Sequence, residues 1–209
     1  MVKRRVLLLL AVSLRLICVS QSRLNADSAA PVPRIRIRIY NYVRISNDVL
    51  AEAKNSVTTI FLQVHVETQW LACRLSMADT SNVSCQQPFG PTDLVLRILP
   101  RLKGNFRHSS AGFSVCAQDS EPGFIANLSY ERTLAAALSS QVPIGLVLGH
   151  VAAHEIGHLL LGTCSHSPAG IMQANWKPED LRRASQGLLS FSAQQAELIQ
   201  STLNSRLHN

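Results

Sequence analysis

The chain moves between two hydrophobic periods, and the changes of period mark out its elements. "RIRIRIY" (34–40) sets Ile35, Ile37 and Ile39 against Arg34, Arg36 and Arg38, the period of two expected of a half-buried strand with its charges solvated. That strand runs to about residue 45. Ser46, Asn47 and Asp48 then supply cap chemistry for a helix over about 48–62, where Val49, Leu50, Ala53, Val57 and Ile60 recur near helical spacing. "QVHVETQWLA" (63–72) predicts a second strand, and Pro88, Gly90 and Pro91 punctuate the chain before a third at 93–100. "AGFSVCA" (111–117) and "GFIANLSY" (123–130) predict the fourth and fifth. Pro143 suits the first turn of a helix that runs through "IGLVLGHVAAHEIGHLLL" to Gly162, which can end it in a left-handed conformation. Ser192-Ala193-Gln194-Gln195 reads as a capping box before a last helix over about 193–206. The order is strand, helix, four strands, helix, irregular segment, helix, which belongs to the α+β class.

A chain of 209 residues, 46% hydrophobic, can bury one sizeable core, so a single domain is expected. Residues 1–20 stand apart from it. Lys3, Arg4 and Arg5 precede the apolar run Val6–Leu14, and Cys18-Val19-Ser20 offers small residues at a cleavage site, so the segment reads as a signal peptide. Export, secreted or periplasmic, is the implied destination. Residues 21–33 form a short polar tether, leaving 34–209 as the domain. The apolar run is too short to span a bilayer and no later segment is expected to, so no stable membrane anchor follows cleavage.

The overall formal charge of +7 loses its force once the leader is removed. The leader carries four of the twenty basic residues and none of the thirteen acids, which leaves a formal charge of +3. With Arg34, Arg36 and Arg38 on a strand face, nothing points to nucleic acid. Oligomeric state has no signature. Four cysteines remain after Cys18: Cys73, Cys85, Cys116 and Cys164. An even count in an exported chain favours two disulfides. Cys73 and Cys85 flank a polar loop and make a natural pair; Cys116 with Cys164 follows by elimination only. Asn82 and Asn127 head glycosylation sequons, which matter only in a host that glycosylates.

The chemistry concentrates in "AAHEIGHLLLGTCSHSPAGIM" (152–172). Residues four apart share a helix face, so His154 and His158 can grip one ion while Glu155, one step round, contacts a water on it. Chance alone would put HExxH in roughly one chain in a hundred of this composition. His150, one turn earlier, lacks an adjacent glutamate and reads as a core or supporting histidine. No G-x-S-x-G elbow or P-loop competes, and Gly145 and Gly149 read as allowing close packing against the sheet.

Here the sequence resembles the metzincin metallopeptidases, whose motif is HExxHxxGxxH followed by a methionine turn, and "HEIGH…HS…GIM" looks most like the matrixin branch. The resemblance covers most of residues 34–175. It implies a twisted five-stranded mixed sheet, a Zn2+ ion held by His154, His158 and His166, a chain-reversing Gly162, and Met172 in the turn below the metal. It implies hydrolysis of a polypeptide by a zinc-bound water with Glu155 as general base, the substrate pairing along strand 111–117. The spacing departs from the family by two residues: Gly162 is four after His158 and His166 eight after it, while Cys164 stands at the family position. Cys164 is thus the competing third ligand, and a catalytically inactive relative is a further reading.

Two alternatives belong to other classes. A downstream glutamate, Glu179, could complete a different kind of zinc hydrolase, although an acid after Pro178 also suits a helix start. Alternatively, the chain could be an exported binding module that zinc merely stabilises. Glu155 discriminates, because a structural site needs no carboxylate beside its ligands.

Overall fold

The computed structural model describes residues 32–73, 85–102, 111–115 and 123–208. The expected signal peptide, nearly all of the tether, the loop carrying Asn82, and Cys116 lie outside the described residues. The described elements are β1 (Arg34–Asn41), α1 (Asn47–Leu62), β2 (Glu67–Cys73), β3 (Asp93–Leu99), β4 (Gly112–Ser114), β5 (Ile125–Ser129), α2 (Tyr130–Ser140), α3 (Ile144–Leu161), α4 (Pro178–Ala184) and α5 (Ala193–His208).

The strands form one mixed sheet in the order β2-β1-β3-β5-β4. β2, β1, β3 and β5 run parallel, and β4 pairs antiparallel at the edge. This is the five-stranded α+β architecture expected, with its helix after the first strand, its long helix and its C-terminal helix. Period two holds in β1, where Ile35 and Ile37 are 0% exposed and Ile39 is buried. Ser46 caps α1 by accepting from the Val49 N–H.

Two helices were absent from the expected order of elements, although Pro178 suited the start of the second. The buried side of α2 is Thr133, Ala137 and Ser140, too small and polar to draw an apolar stripe in the sequence. Its cap is Ser129, whose hydroxyl accepts from Arg132 N–H. α4 begins at Pro178, where Asp180 accepts from the Lys177 main-chain N–H. The strands also end sooner than expected, β1 at Asn41 and β4 at Ser114, while β2 starts only at Glu67.

Three further expectations are corrected. The arginines of β1 are not a uniformly solvated face. Arg34 pairs with Glu67 at the surface, but Arg38 is 1% exposed. Its guanidinium donates to Asp93 and to the carbonyls of Cys85, Gln87 and Pro88, with the Phe89 ring 4.2 Å away. Those acceptors satisfy the fixed fork of donors, which is what makes burial of the charge tolerable. The Cys73–Cys85 disulfide ties the end of β2 to the same segment.

Gly145 and Gly149 face α1 rather than the sheet. A Cβ on Gly149 would sit 2.6 Å from the Ala53 carbonyl oxygen, so glycine is what lets the two helices approach. The third correction concerns membrane spans: α3, 18 residues long, is apolar enough to cross a bilayer by composition, yet it is the core helix, with 83% of it buried in protein. Asn127, one of the two sequon asparagines, is 5% exposed within β5.

Candidate metal centre

Every residue of α3 from Val147 to Leu160 is buried, so each polar side chain in that stretch needs a partner. His154 Nδ1 lies 2.7 Å from the Ile171 carbonyl oxygen, and His158 Nδ1 lies 2.8 Å from that of Thr163. A carbonyl can only accept, so each Nδ1 carries the ring hydrogen and each Nε2 is left as an acceptor. The two Nε2 atoms face each other at 3.1 Å. Lone pairs at that range repel one another, and a shared cation converts the repulsion into two bonds.

Gly162 ends α3 at φ +65°, in the left-handed region that glycine enters at least cost. The chain then doubles back. It brings the His166 ring to 5.3 Å from that of His154 and 4.8 Å from that of His158, measured between centroids. One ligand nitrogen from each of the three lies within 4.8 Å of the others. Burial, the largest influence, lowers His154 to about 4, and the neighbouring rings add to this against the Ile171 hydrogen bond. Burial lowers His158 as well, opposed by the Thr163 hydrogen bond and aided by His166. Imidazoles held neutral are in the form that ligates.

The turn carrying Met172 locks this arrangement from the other side. Ile171 and Met172 are buried, and a Cβ on Gly157 would lie 2.7 Å from Met172 Sδ, so the methionine rests directly on the helix between the two histidines. The Met172 carbonyl accepts from Ser167 N–H, and Ile171 N–H donates to Ser190 O, fastening the turn to both flanking segments. Trp176 stands edge-on to His154 with ring centroids 5.5 Å apart.

The Glu155 side chain meets β4. It is 5% exposed, and Ser114 Oγ lies 2.6 Å from its Oε2 and 2.7 Å from its main-chain oxygen. Burial pushes the carboxyl up to about 7, against the Ser114 hydrogen bond. Serine has one hydrogen for two acceptors. With the carboxylate ionised it donates to Oε2; with the acid protonated, the acid donates to Oγ and the hydroxyl turns to the main-chain oxygen. Either form is satisfied.

The remaining candidates fall elsewhere. Cys164 is disulfide-bonded, and a disulfide sulfur is no thiolate; Cys116, its expected partner, is outside the described residues. Glu179 sits exposed in the first turn of α4, paired with Arg182 at 2.7 Å, and is not part of the three-histidine group. His150 is 4% exposed and bonded through Nδ1 to Leu146 O, also outside that group. Sequence reasoning did not find Gly112, Ser114, Trp176 or the two carbonyls that orient the histidines. None belongs to a spacing pattern; each is set by tertiary contact.

Three imidazoles, with both α3 rings oriented by carbonyls, are a donor set that fits zinc. The fold and this group together define an α+β domain with a three-histidine candidate metal site. No family model matches the chain, and no curated protein matches it. Among solved structures the chain is similar to archaemetzincin from Methanopyrus kandleri, at 19% identity and a TM-score of 0.52, over 82% of this chain and 96% of that one. Metalloproteinase-II from Bacteroides fragilis matches at 12% identity and 0.48, over 82% and 53%. The archaemetzincin likeness establishes a shared fold.

Proposed function

We propose that the chain is an exported zinc-dependent endopeptidase. The observation that carries this reading is the convergence of His154, His158 and His166 with a buried carboxyl on the residue next to His154. A purely structural site has no use for that carboxyl, whose burial costs stability. Zinc, when bound by the three imidazoles, would acidify water and polarise a peptide carbonyl. Glu155 takes a proton from water at its carboxyl and gives it to the leaving amine. His154 and His158 stay fixed through their Nδ1 hydrogen bonds. β4, at the sheet edge beside Glu155, is where an extended polypeptide would pair through its main chain.

Support for export comes from the leader pattern of residues 1–20 and from disulfide use at Cys73, Cys85 and Cys164. The matrixin-like wording "HEIGH…HS…GIM" supports a place near that branch, with the third ligand moved to His166 by the longer spacing. Glu155→Gln tests the reading. The variant should hold zinc like the parent and lose nearly all hydrolysis of an unfolded polypeptide, because an amide cannot accept the proton. Undiminished turnover would remove Glu155 from the mechanism, and a wild type that binds zinc but cleaves nothing would leave a zinc-stabilised binding module as the better account.

A further inference from the structure

We propose that Gly112 and Ser114 form a built seat for the Glu155 carboxyl and act as positioning residues in the hydrolysis proposed above, on which the inference rests. The two are separated by one residue on β4, so they share the strand face turned to α3. A Cβ on Gly112 would lie 2.6 Å from Glu155 Oε1, 2.7 Å from Cγ and 2.9 Å from Cδ. Only a residue without a side chain leaves the carboxyl that space. Ser114 Oγ meets Oε2 at 2.6 Å and the Glu155 main-chain oxygen at 2.7 Å. One hydroxyl therefore gauges the carboxyl against the backbone of its own helix.

The seat is itself held. β4 pairs with β5 through Gly112 opposite Leu128 and Ser114 opposite Ala126, both of which are 0% exposed. Ser129 N–H donates to Ala111 O at 2.7 Å, and Val115 N–H to Ile125 O at 3.1 Å, which fastens the strand at either end. A glutamate has three side-chain torsions, and leaving them free would spread its oxygens over several positions. The contacts at Gly112 and Ser114 remove that freedom on the strand where the substrate is proposed to pair. Substrate strand and proton-accepting carboxyl are thereby put in one register.

The experiment compares wild type, Ser114→Ala and Ser114→Thr, each as zinc-loaded full chain. Crystal structures give the position of the Glu155 carboxyl, and a denatured, fluorophore-labelled casein gives kcat and KM. Ser114→Ala should keep its zinc, move the carboxyl, lower kcat roughly a hundredfold and leave KM within about twofold. Ser114→Thr, which keeps the hydroxyl on a residue suited to strands, should return the carboxyl and most of kcat. A carboxyl that stays in place in Ser114→Ala overturns the seat, whatever happens to turnover. A carboxyl that moves with kcat unchanged overturns its role in positioning. Wild type that cleaves nothing, while the carboxyl still moves in Ser114→Ala, overturns the proposed reaction and leaves the seat standing.

Discussion

His154 Nε2 lies 3.1 Å from His158 Nε2, and the hydrogen bonds at the far side of each ring make both atoms acceptors. A cation between them removes an unfavourable contact from the folded state and has no preformed site in the unfolded chain. Zinc should therefore raise the thermal unfolding midpoint. At free zinc a hundredfold above Kd the gain is about 2.7 kcal/mol. Chelator should reverse it, and His154→Ala should abolish it. A midpoint indifferent to zinc in the wild type would contradict the geometry's meaning.

The choice between His166 and Cys164 is tested by exchanging one kind of loss for another. His166→Ala should fold normally, since the residue is exposed, and should bind zinc far more weakly. Cys164→Ser should keep its zinc and lose about 2–4 kcal/mol of stability with the disulfide. Paired zinc titrations and urea unfolding read both quantities. Loss of zinc in the cysteine variant, with the histidine variant unaffected, would return the third ligand to the family spacing.

Asp93 anchors a buried charge cluster on the opposite side of the sheet from the α1-facing isoleucines. Burial would raise its carboxyl, but hydrogen bonds from Arg36 and Arg38 and from the Gly90 backbone bring it below the usual carboxylate value. A carboxyl lowered in the folded state contributes stability above its unfolded value, near about 3.9, and that contribution is lost as pH falls through the folded value. Acid should therefore weaken wild type through this group, and Asp93→Asn should lack that part of the pH dependence. At neutral pH the same variant leaves Arg38, 1% exposed, without its counter-charge, at a cost of about 3–5 kcal/mol. Urea unfolding at pH 7 and at pH 3 measures both, and equal pH slopes for the two proteins would sink the argument.

How much was legible in the sequence follows from which contacts are local. The period of β1, the Ser46 cap, the helix stop at Gly162 and the i, i+4 pair His154 and His158 are all written within a few residues, and each is where the pattern put it. α2 was missed because its buried side is Thr133, Ala137 and Ser140, while its large apolar residues, Leu134 and Leu138, are exposed. Arg38 was read as solvated because alternation reports a face, not what covers it; the cover comes from Cys85 to Phe89, distant in sequence. Ser114 and Glu155 are 41 residues apart, and a serine on a short strand carries no mark of the carboxyl that it meets. Glycine was legible only as a need for space at Gly149, not for which neighbour, α1 or sheet, would fill it.

The most direct test of the account is zinc content and polypeptide hydrolysis measured on one preparation of the chain from residue 21 onward. As isolated without chelator it should carry about one zinc per chain and cleave a denatured polypeptide. Dialysis against chelator should remove metal and activity together, and equimolar zinc should restore both. Protein that is folded, takes up no zinc when resupplied and cleaves nothing in any state would contradict the central claim.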